Sequence, residues 1–421
     1  MSAPGSLATW GSGIEDLLFL AHRIPFPPDK GDKIRSYHLL RMLARQYRVR
    51  LGAFVDDPED WKHAEAARAF AVETCLLPLR RRAPLRLLRA LVRGEPLSLA
   101  FFRDGQMQRW VERSAAEGAA RRVFVFSSAM AQYVLDLPPD PERQVVLDFV
   151  DVDSDKWAQY GRRRPWPASA VFAREARALL RFERRASAGS TASVFVSRAE
   201  AETFQRLAPE VAERVTWLEN GVDAQYFSPD RAYSNPYGPN GAVLVFTGVM
   251  DYFANVDAVT WFTRDVFPGV RARVPEARFF IVGARPTADV LRLARSQGVS
   301  VTGRVEDVRP YLAHARAAVA PLRIARGVQN KVLEAMAMGR PVVVSPPGME
   351  GLDWPGRYPL LADGASAWIE RTCDALGSGV PADLGERLRA WVVERYSWDG
   401  KAERCIGLIE GVTAGVPSGR E

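Results

Sequence analysis

Lys331 and Glu334 place a cation and a carboxylate three residues apart, and Asn330 stands four before the glutamate. On a helix all three share one face. Residues 317–321 read as the apolar tail of a strand. A basic loop with Arg323 and Arg326 follows, and Gly327 lets the backbone turn tightly and leaves room for close approach. From Gln329 the residues favour a helix, with Val332, Leu333, Met336 and Ala337 on its apolar face. Gly339 ends it and Pro341 prevents its return. A helix start has free N–H groups and partial positive charge, which suits an anion such as a diphosphate. Cations there, with a carboxylate beside them, suit a nucleotide: phosphate at Arg323, Arg326 or Lys331, ribose hydroxyls at Glu334. The local pattern also fits an ordinary α/β crossover helix with solvated charges.

A second candidate lies near the start. The proline-punctuated loop 22–33 ends in Gly31, flanked by Lys30, Asp32 and Lys33. It follows a strand, and ligands of parallel sheets sit beyond the carboxyl ends of strands. A ligand-facing role for Gly31, Asp32 and Lys33 is therefore expected over that of a rigid turn. A third stretch, 148–157, holds four aspartates after a strand. It lacks the glycine and closing glutamate of a calcium loop, so no dedicated metal site is expected. Asp151 or Asp153, at the strand end, could act on substrate.

These stretches need elements to hold them. The chain has 421 residues, enough for two or three domains, with 47% apolar and 25% charged residues. Its net charge of +7 suits anionic partners and is carried almost entirely by arginine. Only six lysines occur, and three of them (Lys30, Lys33, Lys331) lie in the first two of these stretches. Three scattered cysteines argue for a reducing compartment, against disulfides and against a zinc site. No signal peptide and no transmembrane run is expected.

Strands are predicted at 16–21, 49–55, 74–79, 123–126, 145–150 and 192–196, with helices at 34–46 and 168–186. After a Ser-, Asn-, Pro- and Gly-rich linker at 228–241, strands at 243–246, 277–282 and 299–302 alternate with helices at 256–274 and 290–296. Helices at 365–376, 384–395 and from 398 to about 412 end the chain. A helix over 84–93 puts Leu85, Leu88 and Val92 on one side and Arg86, Arg89 and Arg93 on another. Such a helix can lie on an anionic membrane. The preferred expectation is that its apolar side faces the core and its basic side is solvated.

Assembled, these residues resemble glycosyltransferase family 4, of the GT-B fold. The markers are Asn220-Gly221-Val222-Asp223 with Phe227-Ser228-Pro229, Phe246-Thr247-Gly248, Ile281-Val282-Gly283, Val301-Thr302-Gly303-Arg304-Val305 and the stretch from Lys331 to Val343. In the first half, residues 22–37, 54–61, 126–133 and 148–157 resemble the sugar transferases associated with PEP-CTERM/exosortase exopolysaccharide systems. The resemblance implies an α/β chain with two doubly wound Rossmann-like domains facing a central cleft. The first would span 14–225, the linker 226–241 and the second 242–395. A terminal helix, 396–416, would pack back on the first.

It further implies a cytoplasmic enzyme, peripheral on the inner membrane face, that moves a sugar from a nucleotide-sugar co-substrate to a glycan or lipid-linked saccharide with retention. No other cofactor is implied. The base rests near Val305, the ribose on Glu334, the diphosphate near Val328 to Lys331, and the Gly31-Asp32-Lys33 loop closes over the donor. With the second-domain glycines Gly248, Gly283 and Gly303, and with Arg323, Gly327, Val328 and Asn330, these make the expected donor site.

Two departures from the family stand out. Arg326 occupies a position that is commonly acidic, and no cation follows Gly248, so Arg323, Arg326 or Lys331 is expected to supply that charge. No first-domain histidine is evident, and Asp151 and Asp153 stand as the substitute beside Arg326 and Lys331 in the catalytic set. The other readings are a GT-B sugar-nucleotide epimerase and a non-catalytic GT-B protein that binds nucleotide or glycan. A dehydrogenase is disfavoured because no G-x-G-x-x-G turn follows a strand, and nucleic-acid binding because no aromatic-basic module occurs.

Overall fold

The structure, a computed structural model, describes residues 13–28, 31–79, 84–162, 164–239, 241–325, 327–355, 358 and 360–411. Lys30 and Arg326 lie outside the described residues. The chain forms two compact units. One runs to Leu218 and takes back the chain from Lys401 on; the other is Glu219–Gly400.

Seven parallel strands form the first sheet: β1 (Asp16–Ala21), β2 (Arg48–Val55), β3 (Glu73–Pro78), β4 (Arg122–Phe126), β5 (Gln144–Val150), β6 (Ala192–Phe195) and β7 (Val215–Trp217). Their order is β3-β2-β1-β4-β5-β6-β7. The second sheet has five parallel strands: β8 (Val243–Thr247), β9 (Arg278–Val282), β10 (Val299–Gly303), β11 (Ala317–Ala320) and β12 (Val342–Val344), in the order β10-β9-β8-β11-β12. The α/β architecture with parallel sheets is the one expected. Parallel sheets carry helices on both faces, so their strands read as unbroken apolar runs. Leu17 to Ala21 and Val243 to Phe246 are accordingly buried throughout.

Each strand order reverses once, between β1 and β4 in the first sheet and between β8 and β11 in the second. At such a switch point the connections leave in opposite directions and open a crevice at the carboxyl ends of the strands. The loops after β1 and β4, and those after β8 and β11, therefore border these crevices.

Several local expectations change. The first helix runs from Gly31 to Leu43, so Gly31, Asp32 and Lys33 form its first turn rather than a free loop. The acidic stretch also opens a helix, Asp153–Arg162, where Asp153 and Asp155 suit the positive end. The helix expected over 256–274 is instead Phe253–Trp261, a π-turn at Phe262–Val266 and Phe267–Arg273. Pro268 lacks an N–H, and the wider turn before it absorbs the missing bond. The helix Pro84–Val92 forms, but its apolar side is not toward the core: Leu88, Leu91 and Val92 are exposed while Ala90 is buried.

Candidate functional site

In the second unit the helix Asn330–Ala337 follows β11 and its loop, at the switch point. Val332, Leu333, Met336 and Ala337 are fully buried and fix its inner face. Gln329 precedes it in an extended conformation and caps it with no side-chain bond; its carbonyl accepts the Val332 N–H at 2.9 Å, so the amides before Val332 are the ones an anion would meet. Lys331 and Glu334 project from its half-buried face.

Lys331 reaches across to the β8 side of the reversal. Its ammonium donates to Asn255 Oδ1 at 2.7 Å and lies 4.9 Å from the centre of the Phe246 ring. Asn255 in turn donates to the carbonyl of Val249 at 2.9 Å, which fixes the turn after β8. Burial pushes the Lys331 ammonium down to about 8, against the opposing pull of Glu334. Burial likewise pushes the Glu334 carboxyl up to about 7, against Lys331. Both groups thus change charge near neutrality.

Two glycines make this approach possible. Gly248 has φ +155°, and a Cβ there would stand 2.8 Å from Asn255 Nδ2. Gly283 has φ +152°, and its Cβ would overlap the carbonyl oxygen of Gly248. The ends of β8 and β9 therefore meet backbone to backbone beneath Lys331. Gly283 N also donates to Gly303 O at 3.2 Å, which carries the contact on to the end of β10.

Beyond β10, Val305 packs against the core and Asp307 grips Arg309 through bonds of 2.7 to 3.0 Å. The Arg309 guanidinium lies 3.8 Å over the Tyr226 ring. Burial raises the Tyr226 hydroxyl, and Asp307 and Glu334 add to this against Arg309. Tyr226 thus packs against the loop after β10 and lies within electrostatic reach of Glu334. Arg323 is committed elsewhere: it forms a two-pronged ion pair with Asp257, with Nε 2.9 Å from Oδ2. The loop Arg323 to Ala325 also walls an open groove of about 690 Å³, faced by Pro346, Met349, Leu352, Trp354 and Tyr358.

The first unit gathers a separate group at its own reversal. His22 directly follows β1, and its ring stacks on Phe126 at 5.8 Å. Asp32 lies 3.4 Å from His22 Nε2 and 2.7 Å from Arg23 Nη1. Burial works to raise its carboxyl, but His22 and Arg23 prevail and hold it well below the usual carboxylate range. Lys33, expected to face a donor, is instead buried against Asp60 and the Phe26 carbonyl. The helix start at Gly31 turns its side chain inward.

Between Asp148 and Val150 the register of β5 slips, and Val150 takes φ +68°, a strained value for a β-branched residue. Asp148 Oδ1 accepts the Val150 N–H at 3.0 Å and holds this kink. Just beyond it Asp151 pairs with Lys156, and Asp153 lies 3.9 Å from Lys156 and 3.5 Å from Ser128 Oγ. Burial raises the Asp153 carboxyl, with Asp151 adding and Lys156 and His22 opposing. Among the described residues no group of three or more His, Cys, Asp or Glu could hold a metal ion.

Sequence reasoning missed Asn255, Tyr226, Arg309 and His22. Only His22 carried a usable signal, its place immediately after the first strand.

The fold is that of the GT-B glycosyltransferases. Residues 241–377 match the family of glycosyl transferases group 1. The structure resembles that of Anabaena HepE in complex with UDP and glucose, at 13% identity, TM-score 0.62, and 93% and 98% coverage of the two chains. It resembles WaaG, a glycosyltransferase involved in lipopolysaccharide biosynthesis, at 17% identity, TM-score 0.61, and 94% and 100% coverage. A third likeness is to a mutant of S. aureus TarM, in complex with Fondaparinux, alpha-GlcNAc-glycerol and UDP, at 9% identity, TM-score 0.61, and 94% and 99% coverage. No curated protein sequence matches the chain.

Proposed function

We propose that the protein is a retaining family 4 glycosyltransferase. It moves a hexosyl group from a nucleotide sugar to a glycan or lipid-linked saccharide in exopolysaccharide biosynthesis of the PEP-CTERM/exosortase type. The observation that carries this reading is the Lys331 and Glu334 pair on an uncapped helix start at the switch point, inside the segment that matches the glycosyl transferases. HepE binds UDP-glucose, and a UDP-sugar is the first donor to try here.

The diphosphate takes the first-turn amides near Val328 to Lys331, with Lys331 and Arg326 as its cations. Glu334 accepts the ribose hydroxyls, the base lies near Val305, and Gly248, Gly283 and Gly303 let the chain come close. Charge grows on the diphosphate as the glycosidic bond breaks, and preorganised cations stabilise it there. In the first unit, Asp151, Asp153 and His22 hold the acceptor hydroxyl. A lipid-linked acceptor puts the enzyme at the inner membrane face, met through residues 84–93.

A thermal-shift screen of nucleotide sugars tests the donor, since a ligand of the folded state raises its melting temperature. One nucleotide sugar is expected to stabilise the protein and to lose its sugar only when a saccharide acceptor is present. Turnover without acceptor would instead favour an epimerase. Binding of a nucleoside diphosphate with no turnover would favour a non-catalytic protein.

The pair also predicts a pH profile. Below about 7 Glu334 takes up a proton, and above about 8 Lys331 loses one. Nucleoside diphosphate affinity should peak between these values and fall on both sides. Because a bound dianion favours charged Lys331, binding above pH 8 should take up protons, seen as buffer-dependent heats in calorimetry. Glu334→Gln should remove the acid limb and leave the alkaline one; a profile unchanged in this variant contradicts the assignment.

A further inference from the structure

The helix Pro84–Val92 presents the wrong face to water. Leu88, Leu91 and Val92 recur at helical spacing on one side, and all are exposed, Val92 at 80%. Ala90 on the other side is 1% exposed. A surface helix ordinarily buries its apolar stripe. Here Arg89 and Arg93, also exposed, flank an outward apolar stripe.

A second segment lies beside it. Arg174, on the helix Ala168–Ala188, donates to the carbonyls of Ala90 at 3.2 Å and Leu91 at 3.4 Å. Arg181 donates to Gly94 O at 3.3 Å, and Glu175 accepts the N–H groups of Leu97 and Ser98 at 2.9 Å. One turn before Arg174 stands Val171, exposed, and the same helix is entered through Trp166, 81% exposed. Arg162 and Arg164 flank Trp166 and are exposed too.

Charge and shape agree on the occupant. Residues 74–94 and 156–174 contain ten arginines and no aspartate or glutamate, which exceeds the whole net charge of +7. A protein partner of ordinary composition would bring cations of its own against them. An anionic bilayer would not: its headgroups neutralise the arginines, its acyl region takes the aliphatic side chains, and its interface suits tryptophan.

We propose that Leu88, Leu91, Val92, Trp166 and Val171, flanked by the exposed Arg89, Arg93, Arg162 and Arg164, form a docking surface for an anionic lipid bilayer. This deepens the reading of a membrane-bound acceptor, but it is tested with lipid alone, so its failure and that of sugar transfer are distinguishable.

The full chain is sedimented with vesicles of phosphatidylcholine, with or without phosphatidylglycerol. Binding is expected only with phosphatidylglycerol, and it weakens as salt screens the arginines. Acyl chains carrying bromine should quench tryptophan fluorescence, and Trp166→Phe should remove most of that quenching. Leu88→Glu and Val92→Glu, both at exposed positions, should keep the circular dichroism of the native chain and weaken binding roughly tenfold or more. Absence of binding to phosphatidylglycerol vesicles overturns the proposal, as does equal binding to phosphatidylcholine alone. Unchanged binding by both glutamate variants overturns it as well. Self-association abolished by Val92→Glu, without vesicle binding, would assign the face to a second copy of the chain.

Discussion

Lys331→Ala should lower sugar transfer by roughly 100- to 1000-fold, the usual cost of removing one preorganised group that stabilises developing charge. The ammonium is held by Asn255 and by the face of Phe246, so it waits in place for the diphosphate and needs no reorganisation. The same desolvation that lowers its proton affinity strengthens its attraction for a phosphate that arrives. Stability should change little. The folded state loses one hydrogen bond, worth about 1 kcal/mol, and sheds a charge that burial disfavours. Glu334 loses its compensating cation and should titrate above about 7. Lys331→Arg separates charge from shape: arginine stays protonated, so the alkaline limb of binding should vanish even if turnover falls. Wild-type transfer and nucleotide affinity in Lys331→Ala would refute the donor site proposed here.

Gly283→Ala should destabilise the second unit by about 4 kcal/mol, among the largest effects a single substitution produces. The added methyl would overlap the carbonyl oxygen of Gly248, and φ +152° is itself unfavourable for alanine. Neither partner can yield alone. Gly248 N is bonded to Val282 O at 3.1 Å, and Met250 N to Ala284 O at 2.8 Å, so the two strand ends must part together. That separation would also move Asn255, the Lys331 acceptor. Thermal unfolding should show a large fall in melting temperature together with weaker nucleotide binding. Gly303→Ala is the control: it has no atom within 4 Å of the added Cβ, and its left-handed φ of +71° carries strain alone. Equal losses in the two variants would show that backbone strain, not the collision of strand ends, sets the cost.

Much of the scaffold could be read without coordinates. Apolar runs bounded by turn residues located most strands to within a residue or two, because strands buried on both faces leave little freedom in composition. The short β7 (Val215–Trp217) and the helices Gly105–Ala116, Asp153–Arg162 and Arg198–Leu207 were not separated from their surroundings. The helix Asn330–Ala337 was legible because Gly327 before it, the apolar stripe within it and Gly339 after it all agree. The Gly31 loop was not. Its prolines and glycine read as a loop to residue 33, but the helix starts at Gly31, three residues early, with Asp32 in its first turn and Lys33 drawn inward to Asp60. The Pro84–Val92 helix showed its two faces in sequence, but not which one met the core.

The sequence by itself determined the α/β rhythm, the helix start, and the presence of a cation and a carboxylate on one helical face. Those are local properties, set by spacing within a few turns of chain. Tertiary structure alone decided what meets that face. The sheet order β8 beside β11 brings Asn255 to Lys331 across 76 residues of sequence. It also withdraws Arg323 to Asp257, while beyond β10 the Arg309 guanidinium lies over the Tyr226 ring. Strand order is fixed by how whole layers bury their apolar surface, and no short window of residues carries that information.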